Sequence, residues 1–198
     1  MRRGRRGIWF ACLAFLISAF ASTGQTANAA ETVVLIDFND ASAVAAWTTV
    51  NDPVMGGRST SEVTFGDGSL VFSGTISLEN NGGFASARGP EDPDIGRKAA
   101  GATSLNIRAI GDGKTYVVKV GVGGQPWSYI QRFTTQPTVE RIYTLPVAGF
   151  QAVGMRLDPD PNAPQALDPS SINRISVYIL DKQQGPFALA VNEIAAII

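Results

Sequence analysis

From residue 32 onward, apolar and polar side chains alternate with a period of two, the mark of strands that turn one face to a core. Leu70, Phe72, Gly74, Ile76 and Leu78 share one face, with Val71, Ser73, Thr75 and Ser77 on the other. Leu105, Ile107 and Ala109 alternate with Asn106 and Arg108. Tyr116, Val118, Val120 and Val122 oppose Val117, Lys119 and Gly121, and Tyr129 and Phe133 run in phase with Gln131. Ile175, Val177 and Ile179 oppose Ser176, Tyr178 and Leu180; Phe187, Leu189 and Val191 oppose Ala188, Ala190 and Asn192. Turn chemistry falls between these runs, at Gly66-Asp67-Gly68, Asn80-Asn81-Gly82-Gly83, Gly111-Asp112-Gly113 and Gly123-Gly124-Gln125-Pro126. The Asn-Gly step in the second predicts a hairpin, because both residues tolerate positive φ. About ten short strands at this spacing predict an all-β fold, an antiparallel β-sandwich or jelly roll. One short helix is expected over 41–47, behind an Asn39 or Asp40 cap. Irregular segments are expected over 89–102 and over 158–169, the latter too rich in Pro and Asp to continue a ladder.

The first residues break this pattern. Met1-Arg2-Arg3-Gly4-Arg5-Arg6 leads into an apolar run over 7–21 and then into small and polar residues ending Ala27-Asn28-Ala29-Ala30. A basic start, a short apolar middle and an Ala-x-Ala end describe a secretory signal peptide. The run is shorter than the about 20 residues that span a bilayer. Residues 1–29 are therefore expected to be a cleaved leader, and residues 30–198 a single exported domain, periplasmic or extracellular. The mature part holds no apolar stretch of membrane-spanning length.

Removing the leader removes the only cysteine and leaves twelve basic against seventeen acidic side chains. An acidic domain lacks the basic footprint of a nucleic-acid binder. Without His or Cys, zinc and copper sites of the usual kinds are excluded, as are Ser-His and Cys-His nucleophiles. No cofactor is called for. Asp158-Pro159-Asp160-Pro161-Asn162 sets oxygens at alternate positions as calcium loops do, but it lacks the glycine and distal Glu of an EF-hand loop and reads as solvated. Paired carboxylates hydrolyse glycosides without His, so the composition leaves a hydrolase of that kind open. No acid pair declares itself, so the chain reads as non-enzymatic.

Two stretches carry the candidate chemistry: Asn51-Asp52-Pro53-Val54-Met55-Gly56-Gly57-Arg58-Ser59 and Asn80-Asn81-Gly82-Gly83-Phe84-Ala85-Ser86. Glycine pairs let the backbone approach something closely or turn where other residues cannot. In one reading Asp52 accepts hydrogen bonds in a polar pocket and Arg58 grips a carboxylate or hydroxyl. In the other Asp52 closes an Asx-type turn, Met55 fills a gap in the core and Arg58 pairs with Asp52. Asn80 and Asn81 form a turn, and their side chains can at the same time face a ligand beside Phe84 and Arg88. Trp127, after the Gly123-Gly124-Gln125-Pro126 turn, is the best aromatic platform, because sugar rings and interface hot spots both use such faces. Tyr129 belongs to the core face of its strand.

The same stretches carry a family resemblance. Asp52-Pro53-Val54-Met55-Gly56-Gly57-Arg58-Ser59 resembles the signature of the complex I intermediate-associated protein 30 family. So do Phe72-x-Gly74, the run from Ser77-Leu78-Glu79 through Ser86 with Arg88, and Gly111-Asp112-Gly113-x-x-Tyr116. Tyr129, Phe133, Leu145-Pro146, Phe150 and Asp181-Lys182-x-x-Gly185-Pro186-Phe187-x-Leu189 extend the match over most of residues 33–198. The resemblance implies a galactose-binding-like jelly roll and a non-enzymatic assembly factor, since the mitochondrial members hold intermediates of respiratory complex I. An exported protein would meet a bacterial complex I only on the face opposite its cytoplasmic peripheral arm. The expectation is thus an assembly-factor or chaperone-like module that holds a protein partner while a respiratory or membrane complex is built. The alternative is an exported carbohydrate-binding jelly roll. The candidate binding set is Asp52, Met55, Arg58, Ser59, Asn80, Asn81, Phe84, Arg88 and Trp127.

Overall fold

Each alternating run becomes a strand. The structure is a computed structural model that describes residues 30–198; the leader expected at 1–29 lies outside the described residues. In chain order the strands are β1 (Thr32–Asp37), β2 (Thr48–Asn51), β3 (Thr60–Gly66), β4 (Ser69–Ile76), β5 (Ala85–Arg88) and β6 (Ser104–Ile110). They continue with β7 (Thr115–Val122), β8 (Ser128–Thr134), β9 (Glu140–Pro146), β10 (Gln151–Val153), β11 (Ile172–Ile179) and β12 (Gly185–Ile197). Two short helices interrupt them, α1 (Ala41–Ala45) and α2 (Asp94–Ala99).

The strands form two antiparallel sheets. The first runs β3-β4-β12-β6-β9, with β1 also paired to β12; the second runs β10-β8-β7-β11-β5-β2. Between them lies the core that the alternation predicts: Leu70, Phe72, Leu105, Ile107, Leu189 and Val191 from the first sheet meet Val118, Val120, Ile175, Val177 and Ile179 from the second. Burying large side chains at about 25 cal/mol per Å² of apolar surface is what holds the layers together. Phe72 and Phe187 meet edge-on at 4.9 Å between ring centroids, and Tyr116 and Phe187 at 6.5 Å. The fold is a β-sandwich of the jelly-roll type.

The second sheet also buries apolar side chains on its outer face. Val117, Ile130, Val153 and Tyr178 form a smaller buried cluster on its outer side, with Leu157 and Leu180 packed against it. That face is a floor, covered in part by the loop following β10.

Local signals explain the remaining elements. Asp40 caps α1 by accepting from the Ser42 amide at 2.7 Å, as expected of a residue ahead of a helix. The segment 89–102, expected to be irregular, contains α2, whose start is fixed when Asp92 accepts from the Asp94 amide at 2.9 Å. The expected hairpin at Asn80-Asn81-Gly82-Gly83 is not one. Asn80 and Asn81 do take left-handed conformations (φ 55° and 59°), yet β4 before them belongs to the first sheet and β5 after them to the second. The turn chemistry was right, but turn residues carry no record of which strands they join. The Gly123-Gly124-Gln125-Pro126 turn does close a hairpin, between β7 and β8. No described helix is long and apolar enough to cross a membrane.

Candidate functional site

Two sheet-crossing segments meet at one buried carboxylate. Asp52 is 1% exposed and begins the short 3-10 turn over Asp52–Met55 that carries the chain from β2 to β3. Its Oδ1 accepts from the Ser59 amide at 2.8 Å. Its Oδ2 accepts from the Gly83 amide at 2.6 Å, the Phe84 amide at 3.2 Å and the Ser59 hydroxyl. Ser59 Oγ in turn accepts from the Ser77 amide at 3.0 Å, which draws in the end of β4. Asn80 Nδ2 donates to the Gly56 carbonyl at 3.1 Å. Burial works against ionisation of Asp52, but the bonds from Ser59, Gly83 and Phe84 outweigh it and hold its carboxyl below the ordinary aspartate value.

This arrangement answers what the glycine pairs approach: one glycine of each pair, Gly57 and Gly82, approaches Asp52. A Cβ on Gly57 would lie 2.4 Å from the Asp52 carboxyl carbon. One on Gly82 would lie 2.6 Å from the Ser77 carbonyl oxygen and 2.7 Å from Asp52 Oδ2. Asp52 and Ser59 are therefore occupied by the fold itself, with no lone pair or hydroxyl turned outward, and their expected place in a binding pocket is corrected. The alternative expectation, an Asp52–Arg58 pair, is also corrected. Arg58 points into solvent and meets Glu79 at 2.9 Å, because backbone and hydroxyl donors already fill the carboxylate. Met55 fills no core gap. It is 70% exposed, as is Val54 beside it.

The lock holds those two side chains at the rim of a cleft of about 800 Å³ over the outer face of the second sheet. Strand register builds the floor. Lys119 on β7 pairs with Ser176 on β11, and Ser176 pairs with Arg88 on β5, so all three side chains rise on the same side. One row along, Arg174 pairs with Gly121, which pairs with Ser128; in the other direction Tyr178 pairs with Ser86. Small side chains at Gly121, Ser128, Ser176 and Ser86 leave the depression open. Three segments make the walls: the β2–β3 turn with Val54 and Met55, the β7–β8 hairpin ending in Trp127, and the loop after β10 with Met155, Arg156 and Leu157.

Of the expected binding residues, the cleft gathers Met55, Phe84, Arg88 and Trp127. Phe84 and Trp127 are half-buried, and Trp127 packs its body against the main core while lining the cleft. Arg58, Asn80 and Asn81 are exposed but do not line it. Tyr129 is buried, its hydroxyl donating to the Pro164 carbonyl at 2.9 Å. In the 158–162 loop, Asp160 Oδ1 accepts from the Asn162 amide at 3.0 Å, so that carboxylate closes a turn.

Sequence reasoning missed Lys119, Arg174 and Tyr178, which occupy the centre of the floor. Burial first, then the charges of Arg88 and Arg174, pull the Lys119 ammonium below the ordinary lysine value. Burial pushes the Tyr178 phenol up, with Arg88 opposing. The available signal was Tyr178 on the outward face of β11 and Leu180 just past its end, two large side chains unsuited to a strand face left to water.

Residues 36–191 match the family described as Complex I intermediate-associated protein 30. The chain belongs to that family. No curated protein is a significant match to it. Among solved structures it is similar to the family 11 carbohydrate-binding module of the cellulosomal cellulase Lic26A-Cel5E of Clostridium thermocellum. That pair aligns at 14% identity and a TM-score of 0.57, over 86% of this chain and 96% of the module. A structure of the family 11 module of the same organism in complex with a β-1,3-1,4-mixed-linked tetrasaccharide aligns with a TM-score of 0.55 at 14% identity, over 84% and 95%. An agarase, AgWH50C, aligns with a TM-score of 0.53 at 14% identity over 83% of this chain, which covers only 24% of that enzyme. At these identities the likeness is one of fold, a galactose-binding-like jelly roll.

Proposed function

We propose that this family member is an exported module that holds a protein partner in the cleft over its second sheet, in the manner of an assembly factor. The observation that carries the reading is the rim. Val54 and Met55 are each 70% exposed and Met155 is 85% exposed, all three lining one cleft. Unbranched, polarisable methionines adapt to varied apolar surfaces, and a group of large apolar side chains left in water around a groove marks an interaction site. The basic, apolar, Ala-x-Ala start of the chain supports the export part of the reading.

A carbohydrate ligand is the second reading. It is favoured by the jelly-roll neighbour with a bound tetrasaccharide and by the presence of Trp127 in the cleft. Against it, the large aromatic on the floor, Tyr178, is 4% exposed and carries cations over its ring, so it offers no free face for a sugar to stack on.

The test is a photo-reactive residue at Met155, with the same residue at exposed Glu62 on the opposite sheet as control, in the chain expressed in its own host. The expected result is one reproducible protein cross-linked from Met155 and absent from Glu62. No such cross-link, together with a saccharide-dependent rise in melting temperature across a glycan panel, would overturn the protein reading.

A further inference from the structure

The floor of the cleft collects positive charge in an acidic domain. The Arg88 guanidinium lies 5.6 Å from the Tyr178 ring centroid and the Lys119 ammonium 5.7 Å from it. Arg174, on the same face of β11 as Tyr178, is the third cation. Cation–π contacts compensate part of the cost of bringing like charges together and drying them, but only part.

The usual remedy, a carboxylate, is scarce there. Arg174 meets Glu91 at 3.0 Å, an exposed pair, while its Nε is buried without an acceptor. Among the described residues neither Arg88 nor Lys119 has a carboxylate within salt-bridge distance. Arg88 spends its Nε on the Ser86 hydroxyl at 3.1 Å, which aims the guanidinium instead of neutralising it. The domain carries more acidic than basic side chains overall, so the cluster is a local construction and not a sample of a basic surface.

We propose that this floor is an anion subsite that receives the carboxylates of an acidic, amphipathic polypeptide segment, whose apolar side chains lie against Val54, Met55 and Met155. The occupant rests on the protein-partner reading; the charge argument does not. Guanidinium groups take carboxylates through paired, charge-assisted hydrogen bonds, and a partly dried floor strengthens them. The apolar rim decides between anions. A polyanionic saccharide would satisfy the cations but set hydroxyls against methionine and valine, whereas a peptide carries both chemistries.

The experiment titrates the purified protein with a synthetic peptide of alternating Glu and Leu, both ends blocked, against its Gln-Leu counterpart and oligogalacturonate. The Glu peptide is expected to bind more tightly than the Gln peptide, and more weakly as salt rises. In Lys119→Met and in Arg88→Gln its affinity is expected to fall about tenfold, the worth of one charge-assisted bond. The thermal midpoint of unliganded Lys119→Met is expected at or above that of the wild type, which separates lost binding from lost fold. Equal affinity for the two peptides, or no loss in either variant, would overturn the subsite. Binding of oligogalacturonate with no response to the Glu peptide would overturn its occupant. A partner still cross-linked from Met155 after such a failure would leave the protein reading standing without the subsite.

Discussion

Two charged regions of this molecule, the Asp52 lock and the cationic floor, are linked by the segment running from Gly83 to Arg88 and are handled in opposite ways. Asp52 is buried with four donors on its two oxygens. Arg88 and Lys119 lie over the Tyr178 ring, with Arg174 beside them on the same face of β11 and a single exposed carboxylate, Glu91, paired to it. A buried charge whose hydrogen bonds are complete holds the chain in place. A charge cluster left incomplete weakens the free fold and gains when a counter-charge arrives. The lock thus carries stability, and the floor carries capacity for binding. Their proximity matters because the lock sets the Val54–Met55 turn and Phe84 at the rim of the cleft.

The sharpest way to break this contrast is to empty the lock. Asp52→Ala leaves two backbone amides of one crossing segment and the amide and hydroxyl of Ser59 without their acceptor. The expected cost is about 3–5 kcal/mol in urea denaturation, the range for removing one side of a buried charged network. Gly82→Ala is next, at about 1–3 kcal/mol, because its Cβ would press on Asp52 Oδ2 and the Ser77 carbonyl.

Acid probes the same bond set with the sign fixed by linkage. The folded carboxyl of Asp52 is lowered from 3.8, so its stabilising effect is complete above that value and is lost as pH falls through the folded value. Wild type minus Asp52→Asn stability, followed by denaturation from pH 7 to pH 2, is expected to shrink in that acid window and stay flat above it. The smallest effect is expected from Arg58→Ala. Its partner Glu79 is as exposed as itself, and the change is expected to stay within about 0.5 kcal/mol by the same denaturation.

How much of this the sequence revealed follows from what each feature needs. Core faces are local, so period-two alternation placed Phe72, Ile107, Val118 and Val177 correctly. The cap at Asp40 is local too. The Asp52 lock joins residues up to 32 apart through backbone amides, which have no residue code; the glycines at Gly57 and Gly82 announced a close approach but not to what. Arg58 looked like the partner of Asp52 because charge is visible in a sequence and amide direction is not. The cleft floor depends on register across β7, β11 and β5, which sets Lys119, Ser176 and Arg88 in line. A one-residue slip would send every one of these side chains to the other face. The expected hairpin failed for the same reason, since Asn80 and Asn81 specify a bend and not the sheet that follows it.

The most direct measurement sets unliganded Asp52→Asn beside Lys119→Met in one urea titration at neutral pH, each against the wild type. If the lock holds the fold and the floor awaits a counter-charge, the midpoint falls for Asp52→Asn and holds or rises for Lys119→Met. A midpoint that falls for both would contradict this, because the cations over Tyr178 would then be part of what holds the sandwich together.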